Sequence, residues 1–375
     1  MEFFIAFDYR DCIAFLVLIL EISSNLKYFT FKVSNGTELN RDCEMDKSTY
    51  IIKRSEIENV LGMGECINIV EEAFRLYGEG KVQMPPKVYL SFEKGDLRCM
   101  PAFVPFMNAA GVKNVNVHPG NKKMPAVMAT ITLFEPETGF PLAIMDGTYI
   151  TQMRTGAAGG IAAKYLSRED SKSAGFIGAG VQAQTQLEAL LIARPGISRI
   201  AAYDISEANV KRFADETRTK YDLNVEKAAS VKEAVEAADI VVTTTPVRTP
   251  IVKAEHIGKG THINAIGADA PGKQELEAKI LETARIVIDN WEQASHGGEI
   301  NVALSKGIIS RKNIYADLGE IITGKKSGRE SWEQITVFDS TGLAIQDIAC
   351  ASYIYRKLIS DKSTAAKLER VDFAG

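Results

Sequence analysis

The chain reads as an α/β protein in two parts, an antiparallel meander followed by a parallel sheet covered on both faces. Three observations predict this. Short apolar strands, SAGFIG, RIAAYD, DIVVTTTP, THINAIG and ARIVIDN, are mostly separated by helical stretches, the alternation of a parallel sheet. Ahead of them run KVYLSF, RCMPAFV, GVKNVNV, AVMATITLF and PLAIMD, punctuated by Pro and Gly as a meander requires. A glycine-rich turn, Gly178 to Ala183, separates the first of the later strands from a helix.

At 375 residues the chain is long enough for two apolar cores. A net charge of -4 gives no reason to expect nucleic acid or an anionic membrane as a partner. The first 44 residues pattern differently from the rest. Their apolar run, Cys12 to Leu20, lies between Asp11 and Glu21 and falls short of the about 20 residues that span a bilayer. It also lacks the basic start and small-residue cleavage site of a signal peptide. Residues 1–44 are therefore expected to be an extension outside the fold, with the true start at Met45. A membrane-tethering segment is the competing reading.

From Met45 the pattern is regular. Ser55 and Glu58 have the spacing of a capping box, before a helix whose apolar stripe is Ile67, Val70, Ala73, Phe74 and Tyr77 and which Gly78 and Gly80 end. After the meander, MRTGAAGGIAAKYL reads as a helix of small residues suited to close packing. The strand ITVFDSTG and the amphipathic helix LAIQDIACASYIYRKL close the chain.

The five cysteines, Cys12, Cys43, Cys66, Cys99 and Cys350, form no CxxC pair, and the four histidines no HExxH. Neither a disulfide framework nor a metal site is expected, and a cytoplasmic location fits.

Gly178-Ala179-Gly180-Val181-Gln182-Ala183 follows a strand, opens the helix VQAQTQLEALLIA, and precedes a second strand ending at Asp204. That order is what a dinucleotide site needs. Gly178 permits the tight turn, Gly180 lets backbone approach a pyrophosphate, and the free amides of the helix start favour its negative charge. A glycine turn in another kind of α/β domain is the alternative. A carboxylate at Asp204 accepts hydrogen bonds from ribose hydroxyls and repels a 2′-phosphate, so NAD(H) is expected over NADP(H).

The segments VQMPPKVYL, GDLRCMPAF, GVKNVNVHPGN, ETGFPLAIMDGTYITQMRTGAAGGIAAKYL, GFIGAGVQAQTQ, NAIGADAPGKQEL and FDSTGLAIQD resemble the ornithine cyclodeaminase, mu-crystallin and archaeal alanine dehydrogenase group, in family order from about Met45 to Leu358. The resemblance implies a homodimer. It also implies a Rossmann dinucleotide-binding domain, residues 169–342, and a mixed α+β substrate and dimerisation domain built from both chain ends, 45–168 and 343–375.

Lys113 matches the family's catalytic lysine. By its residues alone it is an ammonium in an apolar strand-like segment, where burial and nearby cations would lower its pKa toward a value useful for proton transfer. An outward-facing strand lysine is the alternative. Asp269, just past THINAIG, matches the catalytic aspartate that handles the attacking water or amine, though a loop aspartate there could instead only shape the turn before Pro271. Lys87, Arg98 and Thr341 match substrate positions. Arg154 matches a cofactor-phosphate contact, and Val181, Gln182, Thr243, Asn264, Lys273 and Ser340 map onto cofactor-lining positions, Thr243 with a register uncertain by one residue. Ala126 replaces a cofactor-contacting threonine found in some members.

Ornithine cyclodeaminases carry a glutamate where Arg98 stands. A guanidinium would repel the distal amine of ornithine but suits a carboxylate, so with Lys87 it is expected to clamp a short substrate. The expected activity is oxidation of L-alanine by NAD⁺ and water to pyruvate, ammonium and NADH. Ornithine cyclodeamination and reduction of a cyclic imino acid such as pyrroline-2-carboxylate are the enzymatic alternatives. A mu-crystallin-like binding protein is the non-enzymatic one.

Overall fold

The structure, a computed structural model, describes residues 48–373 together with the strand residues 3–4 and 17–18. Residues 1–47 form a unit of their own, in which Phe3–Phe4 pairs antiparallel with Val17–Leu18. The expected extension 1–44 otherwise lies outside the described residues. Residues 48–375 form the second compact unit.

This second unit contains two sheets. The first has seven strands in the order Glu369–Asp372, Ser48–Ile52, Pro141–Asp146, Val127–Phe134, Ala109–Val117, Gly95–Val104 and Val88–Phe92. The last five form the meander expected from the Pro and Gly punctuation, each antiparallel to its neighbour. Ser48–Ile52 adds a parallel edge and Glu369–Asp372 an antiparallel one, so both ends of the unit meet in one sheet. Helices Met63–Gly78 and Ala344–Ser360 bury Cys66, Val70, Phe74, Ile345, Ile348 and Ile354 in the core on this sheet.

The cap of the N-terminal helix lies two residues before the expected one at Ser55. Helix Arg54–Glu58 is capped at Lys53, whose backbone N–H donates to the Glu56 carboxylate at 2.6 Å, and Glu58 instead pairs with Arg54 at 2.7 Å. A break after Glu58 separates this turn from Met63–Gly78.

The second sheet has eight parallel strands in the order Val225–Lys227, Arg199–Tyr203, Ser173–Ile177, Ile240–Thr243, His262–Ala265, Thr336–Asp339, Arg285–Ile288 and Ile314–Asp317. From Ser173–Ile177 the chain winds first to one side and then to the other. Its carboxyl end is therefore a topological switch point, where such sheets bind ligands. The small-residue helix Gly147–Leu166 lies against helix Val181–Ala193. A Cβ on Gly156 would stand 2.5 Å from the Thr185 carbonyl oxygen, and one on Gly160 2.7 Å from the Ala189 Cβ. Only glycine permits that approach, which brings the end of the meander to the switch point.

Candidate functional site

At the switch point Gly178 takes φ +93°, a left-handed backbone that side chains resist, and a Cβ there would meet the Thr244 hydroxyl at 2.7 Å. Gly180 caps helix Val181–Ala193 without any side-chain hydrogen bond, and a Cβ on it would point into open space. The first-turn amides of a 13-residue helix thus face an open approach, with the half-exposed Val181 beside them. Asp204 sits at the end of the next strand, where its carboxylate accepts the Ala179 and Ser206 N–H groups at 2.8 Å each. The acid is thereby fixed to the glycine turn. These features fit a dinucleotide.

A cavity of about 620 Å³ opens from this turn and runs between the two sheets. Gly180, Val181, Gln182, Lys273, Ser340 and Thr341 line it, as do Lys87, Arg98, Lys113, Arg154, Asp269 and Ala126. Residues expected from distant segments therefore share one space. Its apolar wall includes Met100, Val115, Val117 and Ile266.

Lys113 lies in strand Ala109–Val117 with no exposed surface. Its Nζ donates to Asp347 Oδ2 at 2.5 Å, and Arg154 Nε donates to the other oxygen of the same carboxylate at 3.0 Å. Arg154 Nη1 also donates to Gln346 Oε1 at 3.1 Å. Burial, and then the Arg154 guanidinium, push Lys113 down to about 7 against the opposing pull of Asp347. An amine at that value exchanges protons readily near neutrality. Lys87 approaches from the edge of the meander and donates to the Thr341 carbonyl at 2.7 Å. Burial pushes it down to about 8, with Asp289 opposing. Asp289 in turn accepts the Thr341 hydroxyl at 2.8 Å and its N–H at 2.6 Å.

Arg98 lines the cavity but is not a free clamp. Its Nε and Nη2 donate to the two oxygens of Asp96 at 2.8 and 3.1 Å, and its Nη1 to Asp269 Oδ2 at 2.7 Å. Lys273 donates to the other Asp269 oxygen at 2.6 Å. Burial opposes ionisation of Asp269, but Arg98 and Lys273 outweigh it and hold the carboxyl well below the usual carboxylate range. The expectation that Arg98 grips a substrate carboxylate therefore needs revising: two protein carboxylates already occupy it.

Two expected cofactor-lining residues do not reach the cavity. Thr243 is fully buried at the end of its strand and donates to Glu275 at 2.7 Å. Its neighbour Thr244, one residue further along, lines the cavity instead. Asn264 is fully buried under helix Gly147–Leu166, donating to the Gly159 carbonyl at 3.0 Å, while Ile266 and Gly267, past the end of the strand, line the cavity. Strands buried on both faces turn their polar side chains toward the helices and loops that cover them, and the ligand side begins only beyond their carboxyl ends.

Four acids escaped the sequence reading: Asp347, Asp96, Asp289 and Glu275. Asp347 was detectable by the rule that singled out Lys113, since it is an ionisable residue on the apolar stripe of LAIQDIACA. Glu275 joins both loops at the cavity mouth, accepting the Thr245 N–H at 2.6 Å and the Gly267 N–H at 2.9 Å.

The profile of the ornithine cyclodeaminase/mu-crystallin family matches residues 47–362. The chain belongs to this family. Within it, the chain is 56% identical to an alanine dehydrogenase of Archaeoglobus fulgidus over 86% of its own length and 98% of the relative's. A solved archaeal alanine dehydrogenase dimer with bound NAD superposes with a TM-score of 0.83 at 54% identity, covering 87% of this chain and 99% of that one. The Thermococcus litoralis Delta(1)-pyrroline-2-carboxylate reductase, solved with NADH and L-proline, gives the same TM-score at 39% identity, covering 86% and 100%. Among the described residues of this family member, no helix is long and apolar enough to cross a membrane.

Proposed function

We propose that this chain is an NAD-dependent alanine dehydrogenase, converting L-alanine, NAD⁺ and water to pyruvate, ammonium and NADH, reversibly. The broader class stands on the family relatives: the chain is an NAD-dependent oxidoreductase acting on amino or imino acids. The observation that carries the finer reading is the cation group Lys87, Lys113 and Arg154 lining one cavity, beside the occupied Arg98.

Gly178, Gly180 and the amides of Val181 and Gln182 would hold the pyrophosphate, with Asp204 at the adenosine ribose. When bound, NAD⁺ supplies the acceptor for the hydride leaving the substrate Cα. Lys87 Nζ and the Arg154 guanidinium would bind the substrate carboxylate. This role for Arg154 replaces the cofactor-phosphate contact implied by the resemblance, because its Nε and Nη1 engage Asp347 and Gln346 beside Lys113. Lys113 Nζ takes and returns the protons of the amine and the added water. Asp269, held ionised by Arg98 and Lys273, is a weak base and so orients the water rather than deprotonating it. The two groups are pushed in ways that separate their roles.

On this reading Arg98 also favours a small substrate. It and Lys273 occupy the acids that would otherwise receive a distal ammonium, leaving an apolar wall for a methyl group. A pyrroline ring would meet the same wall, and the likeness to the Thermococcus reductase makes imino acid reduction the second reading. The mixed sheet with the C-terminal helix, 45–168 and 343–375, serves on this reading as the substrate and dimerisation domain of a homodimer, and 169–342 as the cofactor domain.

Steady-state rates with NAD⁺ and L-alanine, L-proline or L-ornithine test the proposal. L-Alanine is expected to give the highest kcat/KM. A higher value for L-proline would replace the reading with an imino acid reductase, and one for L-ornithine with a cyclodeaminase.

A further inference from the structure

We propose that Asp347 is a positioning residue that fixes Lys113 and Arg154 relative to each other and sets the balance of charge between them. The proposal rests on the reading of Lys113 as the proton-transfer group. One carboxylate serves two cations, Lys113 on Oδ2 at 2.5 Å and Arg154 on Oδ1 at 3.0 Å. The Lys113 and Asp347 side chains have no exposed surface, and that of Arg154 has 7%. Water therefore screens this triad little, and each charge depends on the other two.

The triad is assembled from three elements. Lys113 comes from a strand of the meander, Arg154 from the small-residue helix, and Asp347 from the first turn of helix Ala344–Ser360, a position that suits a negative charge. Both cations also line the cavity, whereas Asp347 does not. Asp347 thus acts from behind. It holds the Arg154 fork and the Lys113 amine in place without touching a ligand, and its charge keeps the ammonium from losing its proton too readily. Other ionisable groups near this triad are Lys87, which lines the same cavity, and the buried thiols of Cys66 and Cys350, whose Sγ atoms lie 3.8 Å apart. Burial, Arg154 and Lys87 push Lys113 toward the neutral amine, and Asp347 pulls it back.

Opposite substitutions should therefore move the pH dependence in opposite directions. Alanine oxidation needs the neutral amine, so its rate rises with pH through the Lys113 titration. Asp347→Asn keeps the shape and removes the charge. It should move the rising limb of kcat to lower pH by about one to three units, the range over which a single close charge acts. Arg154→Gln removes the competing cation and should move the same limb to higher pH, while raising KM for alanine. Asp347→Glu, which restores the charge, should recover most of the parent midpoint.

The measurement is kcat against pH for parent and variants, with NADH binding followed by fluorescence to verify folding. If Asp347→Asn does not fold, Asp347→Ser, smaller and equally uncharged, takes its place and should shift the limb the same way. Limbs that stay at the parent midpoint while only the plateau drops would overturn the proposal. A Lys113→Ala variant with parent-like turnover would instead remove the reading on which it rests.

Discussion

Lys113 Nζ lies 2.5 Å from Asp347 Oδ2, although 234 positions of sequence separate the two residues and neither side chain meets solvent. Burying an ammonium is unfavourable enough that this pairing marks a use for it. Replacing Lys113 with Met keeps the apolar stem and removes the amine. Turnover of L-alanine should fall roughly 10²- to 10⁴-fold, the usual worth of a positioned acid–base group. NADH affinity, measured by fluorescence titration, should change little. Parent-like turnover would take Lys113 out of the mechanism.

Arg98 bridges Asp96 and Asp269, which changes what its loss should do. If it serves to hold Asp269, Arg98→Met leaves that carboxylate with Lys273 alone. The kcat should then drop roughly 10- to 100-fold, in line with one charge-assisted hydrogen bond, with KM for alanine nearly unchanged. A rise in KM at constant kcat would restore the direct carboxylate clamp expected from the sequence.

What could be read in advance followed from local pattern. The meander, the parallel strands and the glycine turn each have a periodicity or a spacing that backbone geometry imposes. Lys113 stood out because an ammonium interrupts an apolar strand. Asp347 is just as anomalous on its helix, but its partners are 193 and 234 positions away, and no spacing rule links them. Thr243 and Asn264 went wrong for a different reason. Both lie inside strands that are covered on two faces, so their polar atoms turn to Glu275 and Gly159 rather than to the cavity. The engagement of Arg98 by Asp96 is a cross-over between alternate residues of one strand, which sequence alone does not separate from two independent surface charges.

Asp204 is fixed to the glycine turn by the Ala179 N–H, and the next residues in sequence, Ile205 and Ser206, bring no cation. A 2′-phosphate placed there would face a carboxylate at close range, a repulsion of several kcal/mol, so NAD⁺ should be preferred over NADP⁺ by roughly 10²-fold or more in kcat/KM. Asp204→Ser should narrow the gap. Equal efficiency with both cofactors in the parent would contradict the assignment.

Asp339, next to Ser340 of the cavity, is fully buried. Burial pushes its carboxyl up to about 8, against the opposing N–H groups of Glu299 and Ile300. The folded protein therefore holds a proton that the unfolded chain releases near the ordinary value of 3.8. The resulting stabilisation is complete below that value and is lost as pH rises through about 8. Asp339→Asn should flatten the decline of thermal stability between about pH 4 and about pH 8. Melting temperatures of parent and variant across that interval provide the check, and parallel curves would show that Asp339 does not titrate there.

The central claim, that the cavity is built for alanine rather than for a cyclic imine, is tested most directly in the reductive direction. The measurement is kcat/KM with NADH for pyruvate plus saturating ammonium and for Delta(1)-pyrroline-2-carboxylate, in one buffer and at one pH. Pyruvate is expected to be the better substrate. A preference for the pyrroline would contradict the claim and make the chain an imino acid reductase.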